Sequence, residues 1–433
     1  MGIEIHRGRD NARAELMPPG GRPRKSASPG RPADRLDRWL ARKLLQLIGD
    51  SGVQISLWDG SEVDPAVREP VANMHFRDRA ALYETLRNPE LNWGDCFALG
   101  RVRVEGDLIG LLQAAYKGVS RGKAASSLLK LVRWYNHRRS GQAQGSGAQD
   151  IHHHYDIGNE FYRRWLDRDA MQYTCAYYPE PEMSVEEAQR AKMDHVCRKL
   201  QLEPGQQVVE AGCGWGGFAL HMAEHFGVRV KAFNISREQV RYAKQKARER
   251  GLDDRVEYVL DDFRNIEGRF DAFVSIGMLE HVGPKNYPLL GSVVARVLKP
   301  DGFGLIHSIG RNRPKPMNAW IEKRIFPGAY PPALGEMMDI FEPNPLSVLD
   351  VENLRLHYAQ TLEDWLERFE QSADLVRQET DERFVRTWRL YLSGSVAAFR
   401  TGDLQLFQVL FTHQENHHLP RSRQYQFPGV RPQ

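Results

Sequence analysis

At 433 residues the chain is too long for one ordinary core, and two domains with tails are expected. Lysine and arginine number 60 against 56 aspartates and glutamates, which excludes a polycation and makes any positive charge local. No run approaches the roughly 20 apolar residues of a bilayer span. The charged start MGIEIHRGRDNAR is no signal peptide, and Cys96, Cys175, Cys197 and Cys213 lack metal spacing, so a cytosolic protein with free thiols is expected.

In chain order, residues 1–34 are rich in Pro, Gly and Arg and predict a disordered basic tail. From Arg35, the apolar residues Leu36, Trp39, Leu40, Leu44, Leu47 and Ile48 recur on one helical face. That face reads as a core face, with a helix lying on a membrane surface as the alternative. VQISLWDGSEV alternates like a strand and turns at Asp59-Gly60; RDRAALYETLRN and GDLIGLLQAAYKG read as helices. These make a small α/β domain over 35–136, and HRRSGQAQGSGAQD at 137–150 is a flexible linker.

Strands and helices then alternate. QQVVEAG precedes helix GGFALHMAEHFG, and VRVKAFNIS precedes helix REQVRYAKQKARERG. RVEYVLDDF, FDAFVSIGMLEHV, helix YPLLGSVVARVLK and GFGLIHSIG follow. Nearly continuous apolar strands in this alternation predict an α/β fold with a doubly wound, mainly parallel sheet. Past Gly310 the pattern loosens, with helices resuming near Leu362. Within RNRPKPMNAWIEKR, the basic residues Arg311, Arg313, Lys315, Lys323 and Arg324 face only Glu322. This is either a headgroup or bilayer contact or a solvated loop. Residues 416–433 form a second basic tail.

The stretch VVEAGCGWGGF puts a glycine turn between the first strand and first helix of the sheet, where ligands bind in such folds. A P-loop would need Gly-Lys-Ser/Thr, and a dinucleotide site an acid at the end of strand two; neither is present. The pattern Glu210-x-Gly212-x-Gly214-x-Gly216 resembles motif I of the S-adenosylmethionine-dependent methyltransferases. A turn serving only strand-helix packing is the alternative.

For the acceptor, SIGMLEHVGPKNY carries Glu280 and His281 where nitrogen-directed DNA methyltransferases have a D/N-P-P-Y motif. HYDIGNEFYRRWLD, YTCAYY, GCGWGGFALHMAEHFGVRVKAFNISREQ, SIGMLEHVGPKNY, GLIHSIG, WIEKRIFPGAYPP and LRLHYAQTLEDWLERFE follow one another in order. Together they resemble the cyclopropane-fatty-acid-phospholipid synthases, a family that includes the mycolic acid cyclopropane synthases. The likeness covers about residues 150 to 415, and more weakly WGDCFALGRVRVEGDLIGLL in the first domain.

The resemblance implies a Rossmann-like class I methyltransferase domain over 151–415 with a seven-stranded sheet, and a first domain that engages lipid or membrane. It implies methyl transfer from S-adenosylmethionine to a cis double bond of a phospholipid acyl chain, then proton loss to a bound bicarbonate and ring closure. A methyl or methylene branch, methylation of RNA, and a non-catalytic lipid-binding protein are the rivals. The bicarbonate holders carried over are Cys175, Glu280, His307, the backbone of Ile309, and Tyr358. Cofactor residues carried over are Tyr173, Thr174, Gly212, Gly214, Asn234, Gln239, Asp262, Phe263 and Arg264. Phe263 is expected to stack on the adenine, and Asn234 with Gln239 to replace the missing ribose acid. No metal and no nucleic-acid partner are expected. A homodimer in peripheral contact with the inner face of a membrane is implied. Ser395 stands where some members carry a cysteine, and His281 and the His152–His154 run read as structural or surface residues.

Overall fold

A computed structural model describes residues 31–49, 52–63, 70–121 and 158–427. The tail over 1–30, the linker at 137–150, the histidines 152–154 and the last six residues lie outside the described residues. Contacts divide the chain into two units: Met1–Ile157 with Met317–Gly328 and Trp365–Asp403, and Gly158–Pro316 with Ala329–Asp364 and Leu404–Gln433. A continuous 151–415 domain was expected from the sequence; two of its segments group with the N-terminal residues instead.

In the first unit, Asp34 caps helix α1 (Arg35–Ile48), accepting from the Leu36 and Asp37 N–H groups while Asp37 returns a bond to the Asp34 N–H. Residues 31–34 are not the loose tail end expected: Ala33 N–H donates to Asp59 Oδ2 at 2.7 Å and Trp58 Nε1 to the Arg31 carbonyl at 2.9 Å. The buried stripe of α1 is Asp37, Ala41, Leu44 and Ile48. Leu36 and Trp39, expected in the core, are 52% and 51% exposed. The inner position goes to Asp37 because Arg79 (2.8 Å) and Tyr83 (3.1 Å) satisfy its carboxylate there.

Strands β1 (Val53–Ser56), β2 (Glu62–Val63) and β3 (Ala72–Phe76), helices α2 (Arg79–Arg87) and α3 (Pro89–Ala98), strand β4 (Val102–Gly106) and helix α4 (Leu108–Arg121) follow. The sheet order is β2-β1-β3-β4, with β1 and β3 parallel.

The second unit opens with α5 (Asn159–Arg163) and α6 (Val185–Lys199), then alternates β5 (Gln207–Ala211), α7 (Gly217–Phe226), β6 (Arg229–Asn234), α8 (Arg237–Glu249), β7 (Val256–Leu260) and β8 (Phe270–Ile276). After α9 (Leu279–Val282) and α10 (Tyr287–Val297) comes the long β9 (Leu298–Gly310). Helix α11 (Ala319–Arg324) belongs to the first unit, where Arg324 grips Asp95 with two bonds of 3.0 and 2.8 Å. The short α12 (Leu334–Met337), strand β10 (Leu346–Asn353), the start of α13 (Arg355–Glu379) and β11 (Gln405–His413) belong to the second unit, while α13 from Trp365 and α14 (Glu382–Thr401) belong to the first.

The second unit's sheet has the seven strands expected, in the order β10-β11-β9-β8-β5-β6-β7. β5 to β9 are parallel neighbours and β11 runs antiparallel between β9 and β10. Side chains alternate between faces: Val208 joins the core beneath α6, α7 and α8, and Val209 and Ala211 the core beneath α10. The second basic tail is not loose in its described part. Arg423 pairs with buried Asp350 at 2.5 Å, Arg198 Nε donates to the Gln426 carbonyl at 3.1 Å, and Tyr425 and Gln426 are buried.

Candidate functional site

The glycine turn follows β5 at the centre of the sheet. Gly212, Gly214 and Gly216 have φ of +85°, +51° and +83°, a left-handed region that L side chains rarely adopt. Two of them also have no room. A Cβ on Gly212 would lie 2.9 Å from Met278 Cβ, and one on Gly216 would lie 2.6 Å from both Tyr258 Oη and Ala243 Cβ. At Gly214 nothing lies within 4 Å, so the backbone there faces open space and can lie against an elongated ligand. Glu210, just before the turn, is buried with Oε2 unpartnered among the described residues. Burial pushes its carboxyl up to about 8, opposed by the Lys192 charge.

Of the other carried-over cofactor residues, Asn234 touches this turn directly and Gln239 reaches it through Asn234. Asn234, at the end of β6, donates to the Gly214 carbonyl (3.0 Å) and to Gln239 Oε1 (2.9 Å), and accepts from the Ser236 N–H (3.0 Å). Its amide therefore braces the glycine loop, and Gln239 Nε2 is the donor of the pair left to reach a ligand. Asp262 after β7 holds Arg264 with two bonds of 2.7 and 2.8 Å, the guanidinium flanking the half-buried Phe263 ring at 5.9 Å. Tyr173 packs on Tyr162 and Trp165, with ring centroids 5.5 and 5.3 Å apart. Thr174 Cγ2 fills the space where a Cβ of Gly277 would sit, and Thr174 Oγ1 accepts from Lys192 Nζ at 3.1 Å.

YTCAYY crosses the unit as an extended segment pinned by other elements. Gln189 Nε2 donates to the Thr174 carbonyl (2.8 Å), the Ala176 N–H to Thr361 Oγ1 (3.0 Å) and Tyr178 Oη to Asp364 (2.6 Å). These bonds replace a strand ladder and fix where Cys175 points. Its Sγ lies 3.0 Å from the Ala176 carbonyl and 3.9 Å from that of Leu354, which also accepts from the Tyr358 N–H at 3.2 Å. Full burial holds the thiol well above its ordinary range, so it stays protonated.

Glu280 and His307 come from the ends of neighbouring parallel strands. The Gly277 N–H donates to the His307 carbonyl (2.9 Å), and the short α9 carries Glu280 back over β9. There Glu280 Oε1 accepts from the Ile309 N–H at 2.6 Å. Glu280 Oε2 and His307 Nε2 are both buried without a partner among the described residues. Burial raises Glu280 to about 7 against bonds from its own and the Ile309 N–H. Burial, helped by the Lys192 and Lys199 charges, holds His307 well below its ordinary value, hence neutral. Leu354, whose carbonyl both Cys175 Sγ and the Tyr358 N–H approach, is tied to the strand opposite Ile309, since its N–H donates to the Leu406 carbonyl (2.9 Å) and Leu406 is the register partner of Ile309.

A glycine turn after the central strand, with a buried carboxyl and a buried imidazole at the ends of the next two strands, also occurs among known proteins at the level of whole-chain similarity. Residues 142–409 match the family model described as mycolic acid cyclopropane synthetase. The chain belongs to that family. A probable fatty acid methyltransferase of Pseudomonas putida is 33% identical over 384 residues, 86% of this chain and 95% of that protein. The cyclopropane-fatty-acyl-phospholipid synthase of Escherichia coli (strain K12) is 42% identical over 260 residues, 60% of this chain and 66% of that protein. Among solved structures, the cyclopropane synthase MmaA2 from Mycobacterium tuberculosis superposes with a TM-score of 0.59 at 26% identity, covering 62% of this chain and 99% of that one. Mycolic acid cyclopropane synthase CmaA1 complexed with SAH and CTAB gives 0.58 at 28%, covering 61% and 97%.

As a member of the family, the chain is an S-adenosylmethionine-dependent methyltransferase of the Rossmann-like class. The sequence did not single out Lys192, Lys199, Gln408 or Glu352, all within reach of the cluster. Lys192 and Lys199 lie in helix VEEAQRAKMDHVCRK as ordinary charged residues, and only their full burial marks them. Two of the five basic residues offered as a lipid contact are already used. Arg311 is 4% exposed and donates to the Pro316 carbonyl (3.0 Å), and Arg324 holds Asp95.

Proposed function

We propose that the protein is a cyclopropane-fatty-acyl-phospholipid synthase, with the Glu280–Ile309–His307 cluster beside Cys175 and Tyr358 as its reacting centre. The observation that carries this is the pair of buried unpartnered atoms, Glu280 Oε2 and His307 Nε2, in a site lined by apolar strands. S-adenosylmethionine, when bound, supplies an electrophilic methyl group on a sulfonium. The cradle of Gly212 and Gly214 with Gln239, Thr174, Tyr173 and Phe263 would hold it, with the buried Glu210 carboxyl directly before the turn.

An alkene is a weak nucleophile with no proton to remove first. Its π pair forms the new carbon–carbon bond as the methyl–sulfur bond breaks, the pair of that bond staying on sulfur. The other alkene carbon becomes cationic, and loss of a proton from the new methyl lets that C–H pair close the ring. The protein must therefore orient the chain, exclude water and offer a proton acceptor near the methyl.

The residues also fit a small anion such as bicarbonate, which when bound would supply that acceptor. Glu280, raised to about 7, can carry a proton on Oε2 and donate it; neutral His307 can donate from Nε2. The Ile309 N–H is not a separate donor, because Glu280 Oε1 already takes it. That same fact supports a second reading in which ionised Glu280 is itself the acceptor. Turnover in carbonate-free buffer, with and without added bicarbonate, separates the two.

The 95% coverage of a probable fatty acid methyltransferase supports a further reading, a methyl- or methylene-branched product. The test is to incubate the protein with S-adenosylmethionine and vesicles of cis-monounsaturated phospholipid. Acyl chains heavier by one CH2 with upfield ring protons and no vinyl signal are expected. Vinylidene protons at the same mass would replace ring closure by branching, and unchanged lipid would overturn the proposal. Peripheral contact with a membrane belongs to the proposal and is supported by α1, whose exposed face sets Leu36 and Trp39 among Arg35, Arg38, Arg42 and Lys43. The implied homodimer is likewise part of it and is tested by sedimentation equilibrium.

A further inference from the structure

Strand register sets Glu352, Gln408 and His307 side by side on β10, β11 and β9. Residues directly opposite across neighbouring strands point to the same face, so the three side chains form a row beneath α6. The last turn of α6 then lowers two polar side chains, four residues apart, onto that row. Lys199 Nζ reaches both Glu352 Oε2 (2.6 Å) and Gln408 Oε1 (2.8 Å), and His195 Nε2 lies 2.8 Å from Glu352 Oε2. Gln408 Nε2 is 3.2 Å from His307 Nδ1. Lys199, Gln408, His195 and His307 are each almost wholly buried, at 0%, 1%, 1% and 1% exposed.

Donor counting fixes the direction of this relay. A lysine ammonium has three donors and no acceptor, so the Gln408 oxygen must face Lys199 and its NH2 must face His307. The reversed amide would set NH2 against the ammonium, two donors in contact and a buried carbonyl facing the ring. An NH2 facing Nδ1 requires a lone pair there, and the single proton of the neutral ring must then be on Nε2. That nitrogen is the buried atom with no partner, at the reacting centre.

We propose that Lys199 and Gln408 are positioning residues that hold His307 as the Nε2–H tautomer, so that it meets an anion in the site as a hydrogen-bond donor and cannot act there as a base. The tautomer rests on the geometry alone; its use in turnover rests on the function proposed above. The charged groups facing His307 are Lys192, Lys199 and Glu352.

The test is long-range proton–nitrogen correlation on the full chain labelled with [15N]histidine, with the His307 signals assigned by their loss in His307→Gln. An Nε2–H pattern with an unprotonated Nδ1, unchanged from pH 6 to 8, is expected. An Nδ1–H or doubly protonated ring overturns the proposal. Gln408→Glu keeps the volume but puts an acceptor opposite Nδ1, and should move the proton there while lowering kcat on the order of 10²-fold with little change in lipid KM. Lys199→Met frees the Gln408 amide to reverse, so both tautomers should appear, and Lys199→Arg should restore one. If Gln408→Glu does not fold, the two Lys199 variants still decide the matter. A moved proton with undiminished turnover would overturn the positioning role. A wild-type protein that makes no cyclopropane would defeat the proposed function while leaving the tautomer readout intact.

Discussion

Glu280 and Ile309 are joined by a 2.6 Å hydrogen bond from the backbone N–H to Oε1, while Oε2 of the same carboxyl is buried without a partner among the described residues. One oxygen is thus anchored and the other is available to chemistry. Glu280→Gln keeps the anchored acceptor and replaces the available oxygen by NH2. Turnover should fall by roughly 10²- to 10⁴-fold, the range for removing a general acid or base. S-adenosylhomocysteine binding, measured by calorimetry, should stay within about twofold. A variant with wild-type turnover would remove Glu280 from the reaction.

The same carboxyl predicts a pH dependence of stability. Burial raises Glu280 to about 7 from its ordinary 4.5. Between these values the folded chain keeps a proton that the unfolded chain has released, so stability falls as pH rises through that window. The loss is complete above about 7 and is about 3 kcal/mol at most. Thermal melts of wild type and Glu280→Gln should therefore diverge in favour of the variant between pH 5 and pH 8. Glu210, raised to about 8 by burial, is common to both and cancels in the comparison. Parallel melting curves across that range would show that Glu280 is not buried uncharged.

Gly216 and Gly214 of the turn should fail differently. Gly216→Ala adds a methyl 2.6 Å from Tyr258 Oη, on top of a φ of +83°, and should lower the melting temperature strongly or prevent folding. Gly214→Ala meets nothing within 4 Å and pays only for its φ of +51°, about 1–2 kcal/mol. Its larger effect should be on S-adenosylhomocysteine affinity, weakened tenfold or more as the methyl enters the ligand's space. Unchanged affinity in a folded Gly214→Ala protein would move the cofactor away from this turn.

The α1 face predicts salt-sensitive binding to anionic vesicles. Trp39→Ser removes half-exposed apolar surface, and Arg38→Glu with Lys43→Glu reverses local charge, neither touching the buried Asp37 stripe. In a flotation assay each should reduce binding to phosphatidylglycerol vesicles, the charge reversal more at low salt than at high. Equal binding by wild type and both variants would place the membrane contact elsewhere.

Much of the sheet was legible in the sequence because its parallel strands are buried on both faces and read as continuous apolar runs, as in Val208–Val209 and Phe273–Val274. Two of its strands were not. LSVLDVEN in β10 mixes buried, intermediate and exposed positions, and QLFQVLFTH in β11 follows a helix after a long stretch without alternation. In α1 the apolar residues were visible but their face was not, because the inner position is held by a carboxylate whose partners, Arg79 and Tyr83, lie more than forty residues on. At the site, motif residues such as Cys175 and Glu280 were readable. Gln408 and Lys199 were not, since their role comes only from register and burial.

The placement of β11 has a consequence for the order of folding. This strand comes late in the chain yet lies between β9 and β10, so neither of those can finish pairing before it arrives. Gln408 meets His307 at a sequence separation of 101 and Lys199 at one of 209. Contacts so distant in sequence form late, after local helices and hairpins. On the proposed relay, the imidazole therefore gains its fixed proton only once β11 has paired with both neighbours.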